Sequence, residues 1–95
     1  MWEIAFHPKA KKELEKLPKK IRRRVWEVIN ELRKFPNVNL DIAVLTGIHV
    51  RRHRIFRVKL PGYRIAFVPL WSEKRIVILM FGKREDFYKK LERRL

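Results

Sequence analysis

The sequence predicts an α+β domain of order β-α-α-β-β-β-α, with an antiparallel main sheet, an N-terminal αα-hairpin packed on one of its faces and a short C-terminal helix. Three features predict it. Apolar residues recur at helical spacing through residues 8–35, extended apolar runs fill much of residues 50–81, and Pro61-Gly62 divides two of those runs as a hairpin turn would. The 95 residues make one domain, 1–95, long enough to bury a modest core without help from cross-links.

Trp2-Glu3-Ile4-Ala5-Phe6 alternates with period two and reads as the first strand, ending before His7-Pro8. Pro8 suits the first turn of a helix, where its absent N–H is no loss. Ala10, Leu14 and Leu17 then share one helical face until Pro18 interrupts. Ile21, Val25, Val28, Ile29, Leu32 and Phe35 recur at spacings of three and four in a second, longer helix closed by Pro36, and the two helices form an antiparallel hairpin. Residues 37–49 hold Asn37, Asn39, Asp41 and Gly47 and read as a loop with a brief extended piece at 43–45. Residues 50–60 form a strand and 63–70 its partner, which Pro69 should end early or hold to an edge. After a polar turn at 71–74, residues 75–81 are apolar on both faces, as in a central strand covered from two sides and broken by Gly82. From Arg84 or Glu85 onward the chain is helical, with Phe87, Tyr88, Leu91 and Leu95 as its apolar stripe.

Charge narrows the partners. Lys and Arg number 25 against 10 Asp and Glu, a formal +15 that predicts a polyanionic partner: nucleic acid first, an acidic membrane or acidic protein next. Without cysteine there is neither a disulfide framework nor a thiolate metal site. No apolar run reaches the length of a membrane span and the N-terminus lacks a basic-then-apolar signal, so the reading is a cytoplasmic protein without a membrane partner. The absence of Gln, with one Ser and one Thr beside abundant Lys, Arg and Glu, matches hyperthermophile composition.

Strand parity around Pro61-Gly62 makes the most specific prediction. With those two residues at a hairpin tip, Leu60 faces Tyr63, Lys59 faces Arg64, Val58 faces Ile65, and Arg57 lies diagonal to Arg64. Phe56, Val58, Leu60, Tyr63, Ile65 and Phe67 then line the apolar face, while Arg57, Lys59 and Arg64 share the other and meet no acid. Like charges opposed across a ladder are unfavourable, and a bound polyanion relieves the conflict. Arg offers a planar fork matched to phosphate and Lys a point charge, the two kinds of group a phosphoryl-transfer site needs. The plainer reading of three cations among 25 is a solvated basic ribbon face.

Other groups are less pointed. Lys19, Lys20, Arg22, Arg23 and Arg24 open the second helix where its dipole prefers acids, as a solvated face or as a docking strip for phosphate or an acidic partner. Arg84 and Tyr88 lie one turn apart if the last helix starts near Arg84, although Tyr88 taken alone better suits a staple between helix and sheet, beside Leu91. His7 reads as structural. His49 and His53 flank Arg51 and Arg52 with no carboxylate ligands near, so no metal is expected, and His53 shares strand parity with Arg57 and Lys59. Glu13, Glu15, Glu27, Glu31 and Glu92 read as helix-surface partners for cations. Glycine-rich phosphate loops, a nucleophile elbow and zinc-ligand spacing are absent.

In order and spacing, the basic αα-hairpin after a first strand, Leu45-Thr46-Gly47, Phe56-Arg57-Val58-Lys59, Gly62-Tyr63-Arg64-Ile65 and Gly82-Lys83-Arg84 followed by Tyr88 resemble the RelE/ParE superfamily of type II toxins. The resemblance covers nearly the whole chain and implies one of two activities. RelE-like members are ribosome-dependent endoribonucleases that cut mRNA in the decoding site; ParE-like members inhibit DNA gyrase and lack the catalytic set. Motif by motif, the RelE-like cleavage positions fall on Arg57, Lys59, Arg64, Arg84 and Tyr88, which favours the nuclease. Arg57 departs from a common lysine, and arginine binds phosphate but hardly acts as a base. The implied chemistry uses no metal and no cofactor: an mRNA 2′-hydroxyl attacks the adjacent phosphate, Arg57 and Arg64 hold that phosphate, Lys59 or Tyr88 takes the proton and Arg84 stabilises the leaving oxygen. Implied partners are the ribosome, mRNA and an acidic RelB-like antitoxin, with Lys19, Lys20, Arg22, Arg23, Arg24, Arg51, Arg52 and His53 as the RNA, ribosome or antitoxin surface. A basic RNA-binding module without catalysis is the third alternative.

Overall fold

The computed structural model describes residues 1–95 as β1 (Glu3–Phe6), α1 (Pro8–Lys16), α2 (Lys19–Leu32), β2 (Ile42–Val50), β3 (His53–Leu60), β4 (Tyr63–Leu70), β5 (Arg75–Lys83) and α3 (Phe87–Arg94). Short 3₁₀ turns at Trp71–Glu73 and Arg84–Asp86 precede β5 and α3. The five strands make one sheet in the order β1-β5-β4-β3-β2, antiparallel except for β1, which lies parallel to β5. The class is α+β, as the sequence predicts.

Each face of the sheet carries its own core. Below it, Ala10 and Leu14 of α1 and Val25, Val28, Ile29 and Leu32 of α2 pack on Val58, Leu60, Ile65, Phe67, Ile76 and Ile78. The predicted apolar face of the β3–β4 hairpin lies here in full, with Phe56 and Tyr63 packed at its margin. Trp2 seals one end: its indole Nε1–H donates to the Phe35 carbonyl at 2.6 Å, and its ring meets Phe35 edge-on. Above the sheet, Phe87 and Leu91 of α3 cover Ile55, Ala66, Leu79 and Met80. β5 is therefore buried on both sides, as its unbroken apolar run requires.

His7 caps α1, its Nδ1 accepting the Lys9 N–H at 3.1 Å, so its role is structural. Elsewhere the structure revises the sequence reading. The brief extended piece expected at 43–45 belongs to a nine-residue edge strand, β2, whose pairing with β3 covers Ile42–Val44 and His49–Val50 with an irregularity between. Residues 50–60 are not one strand, because Arg51 takes a left-handed φ of 57° and turns the chain at Arg51-Arg52. Pro69 sits in the middle strand of the sheet, beyond the last β3 pair at Phe56–Phe67, where that side of β4 is unpaired. Gly82 does not end β5 but lies within it opposite Arg64, where an added Cβ would come within 3.3 Å of Met80 and Phe87. The last helix starts later than expected, at Phe87, so Arg84 stands in the 3₁₀ turn before it.

Candidate functional site

The hairpin register is the predicted one: Lys59 pairs with Arg64, Leu60 with Tyr63 and Val58 with Ile65, while Arg57 opposes Ala66 and is diagonal to Arg64. Gly62 has φ +74°, which fits the third position of a type II turn after Pro61. At this tip the chain gathers its cations. Lys59, Arg64 and Arg84 line one pocket of about 280 Å³ together with Asp41 and the turn residues 60–62. Arg84 arrives there because its backbone N–H donates to the Gly62 carbonyl at 3.0 Å, pinning the segment after β5 to the turn.

Arg64 is the one charged side chain that is buried, at 8% exposure. Its Nη1 donates to the carbonyls of Leu60 and Tyr63, each at 2.8 Å, so the guanidinium braces the turn from inside. A guanidinium has five N–H groups, and committing Nη1 leaves those on Nη2 and Nε. The pocket is therefore built around a fixed fork, with Lys59 and Arg84 as exposed charges on its rim.

Arg57 behaves differently from the expectation that all three hairpin cations meet no acid. Its Nη1 donates to both the carbonyl and Oδ1 of Asp41, at 3.0 and 3.1 Å. Arg57 thus stands two residues back along β3 from Lys59 at the pocket, joined to it through Asp41, whose backbone carbonyl also accepts the Lys59 N–H at 2.9 Å. Sequence reasoning missed Asp41. It is 16 residues from Arg57 in a segment read as loop, and only the position just before β2 brings it to the hairpin. Tyr88 lies outside the pocket, 45% exposed on α3 with its ring edge-on to Phe87.

The remaining predicted residues fall into two groups at opposite ends of β3. Lys19, Lys20, Arg22, Arg23 and Arg24 begin α2 just beyond Leu17-Pro18, which share a depression with Tyr63 and Gly82 near the hairpin tip. Arg22 donates to the Glu15 carbonyl at 3.1 Å and Arg24 lies 3.4 Å from Glu27; Lys19, Lys20 and Arg23 are exposed without an acid. Arg51, Arg52 and His53 occupy the other turn, about 25 Å away along an eight-residue strand. Arg51 and His53 there edge a groove of about 400 Å³ floored by Val68, Val77 and Leu79.

Against this geometry, a family model described as the ParE toxin of the type II toxin–antitoxin system parDE matches residues 4–88. The chain belongs to this toxin family. A Methanocaldococcus jannaschii protein named toxin RelE1 is 28% identical over 90 residues, 93% of this chain and 96% of that protein. Among solved structures, a chain of the archaeal RelE–RelB complex of Pyrococcus horikoshii OT3 superposes with a TM-score of 0.74 at 28% identity, covering 88% of this toxin and 96% of its own length. The isolated E. coli RelE toxin shares the fold over all of both chains, with a TM-score of 0.70 at 21% identity.

Proposed function

We propose that this type II toxin is a ribosome-dependent mRNA endonuclease of the RelE kind. The observation that carries the reading is the convergence of Lys59, Arg64 and Arg84 on one pocket at the hairpin tip, with Arg57 beside it. A pocket of that size and charge suits a single phosphodiester. Arg64, held rigid by the turn, grips a non-bridging oxygen and stabilises the charge that grows there as the 2′-hydroxyl attacks. The new bond closes a 2′,3′-cyclic phosphate while the bond to the 5′-oxygen breaks. Lys59, on the pocket rim, accepts the 2′-hydroxyl proton through its free-amine form, and the departing 5′-oxygen, its charge stabilised by Arg84, takes a proton from water. Tyr88, exposed on α3, contributes from outside the pocket only if RNA bridges the gap. With no histidine in the pocket the acid–base chemistry is weak, and placement of the message by the ribosome supplies the orientation that the toxin lacks.

An antitoxin partner follows from the family and from the RelE–RelB complexes that this chain resembles. An acidic, RelB-like protein complements the +15 charge, and Lys19, Lys20, Arg23, Arg51 and Arg52 are exposed to receive it or ribosomal RNA. No helix is long and apolar enough to cross a membrane.

The test is a translation reaction with a defined mRNA, followed by mapping of new 5′ ends. Cuts in phase with codons that require ribosomes, and that Arg64→Ala or Lys59→Ala abolishes, support the proposal. A second reading has one specific support, the ParE description of the matching family model. Intact message beside blocked gyrase supercoiling would establish that reading instead.

A further inference from the structure

Three depressions run end to end from the hairpin tip along the seam between α1 and α3. The first is the pocket of Lys59, Arg64 and Arg84. The second, about 460 Å³, crosses β5 with Lys16, Lys83 and Lys90 on its walls. The third, about 200 Å³, is a shallow depression lined by Lys9, Lys90, Arg93 and Arg94 and has no apolar wall. Lys90 is common to the second and third. The Tyr63–Lys83 ladder pair, next to Gly62 and Arg84, joins the second to the first.

Helical spacing makes this a track. Lys9 and Lys16 lie seven residues apart on α1, two turns or about 10 Å, on the side turned to α3. Lys90 and Arg93 answer them one turn apart on α3. The acids of the seam are already engaged: Glu13 holds Arg94 at 2.7 and 2.8 Å, and Asp86 lies 3.4 Å from Lys90. Lys9, Lys16, Lys83 and Arg93 have no acid partner, so their mutual repulsion is left for an external polyanion to relieve. An acidic protein would need apolar anchors: the second depression offers Leu17, Tyr63 and Phe81, but the third offers none, and the cations run on past those anchors in line with the hairpin pocket. A phosphodiester chain needs only regularly placed cations.

We propose that a single RNA strand, continuing from the phosphate in the hairpin pocket, lies in the α1–α3 seam with its phosphates on Lys83, Lys16, Lys90, Lys9 and Arg93. The proposal rests on the hairpin pocket being a phosphate site. Its test measures binding of a labelled oligouridylate of about twelve nucleotides to the full chain across a potassium chloride series, by fluorescence anisotropy. In the Lys9→Ala/Lys16→Ala/Arg93→Ala variant, the slope of log K against log salt is expected to flatten by about 2, since each lost phosphate contact to a single strand removes about 0.7. A control, Lys34→Ala/Lys74→Ala/Arg75→Ala, removes the same charge at the opposite end of β5 and should keep the wild-type slope. An unchanged slope in the seam variant, or an equal loss in the control, overturns the proposal. So does a seam variant that keeps RNA affinity but loses polyglutamate, which would make the seam an acidic-protein surface. Ribosome-dependent cutting is read in parallel: cutting with an unchanged seam slope defeats the seam alone, and a flattened slope in a chain that never cuts defeats the hairpin pocket's catalytic role while the seam keeps its RNA.

Discussion

Replacing Glu13 or Arg94 by alanine tests how the C-terminal helix is held. Arg94 meets Glu13 through two bonds, Nη1 to Oε1 at 2.7 Å and Nη2 to Oε2 at 2.8 Å, with side chains only 12% and 25% exposed. The same Nη1 donates to the Leu79 carbonyl at 2.9 Å, and Glu13 Oε1 accepts the Phe81 N–H at 3.2 Å. Removing one partner of a fully buried pair costs about 3–5 kcal/mol, and the partial exposure here brings the expectation to about 2–3 kcal/mol for either single variant. For a domain of this length that is a fall in Tm of roughly 10–20 °C. Removing both partners leaves no stranded charge, so the double variant should be about 1.5–2 kcal/mol more stable than the sum of the singles predicts. Exchanging the residues, Glu13→Arg with Arg94→Glu, should restore little. It would turn a donor toward the Phe81 N–H and an acceptor toward the Leu79 carbonyl. Urea unfolding of the four variants measures each quantity. Additive single effects, singles costing under about 0.5 kcal/mol, or full recovery in the exchanged pair would refute the claim that the backbone groups of β5 define the polarity of this clamp.

Trp2→Phe keeps an aromatic ring but loses the indole N–H and part of its buried volume, stranding the Phe35 carbonyl, and a loss of about 1–3 kcal/mol is expected in the same urea measurement. Gly62→Ala meets no atom within 4 Å, so its expected cost of about 1–2 kcal/mol comes from the left-handed backbone alone. Gly62→Asn should cost less, because asparagine tolerates that region. Arg64→Lys retains charge but cannot reach both turn carbonyls and a phosphate with one ammonium; mRNA cutting should fall at least tenfold, as read by 5′-end mapping.

What the sequence shows and what it hides divide along physical lines. The β3–β4 register was legible because period-two alternation, a Pro-Gly tip and an uninterrupted ladder all act within twelve residues. Both helices of the N-terminal pair were legible from their apolar stripes and flanking prolines, although the second ends at Leu32 and leaves Phe35 in the turn before Pro36 rather than in the helix. β2 was hidden because its pairing is broken between Val44 and His49 and its exposure follows no clean alternation. The Arg51-Arg52 turn was hidden because arginine, rather than glycine or asparagine, takes the left-handed position. Within β5 the pairing skips Leu79, so Leu79 and Met80 both face α3; a run apolar throughout cannot reveal such a change of parity. At the candidate site, Lys59 and Arg64 were legible as a facing pair, but not the burial of Arg64, nor the long-range partners Asp41 of Arg57 and Glu13 of Arg94.

The shortness of β1 has a consequence for self-association. It covers β5 only as far as Ile78, whose carbonyl accepts the His7 N–H, and beyond that point the outer margin of β5 would be an open template for another chain. Glu13 and Arg94 occupy the next donor and acceptor on that margin, the Phe81 N–H and the Leu79 carbonyl, as a strand would, but with side chains that cannot be extended into a ladder. The clamp therefore doubles as a guard against intermolecular strand pairing, and its two charges are as much a device for solubility as for stability.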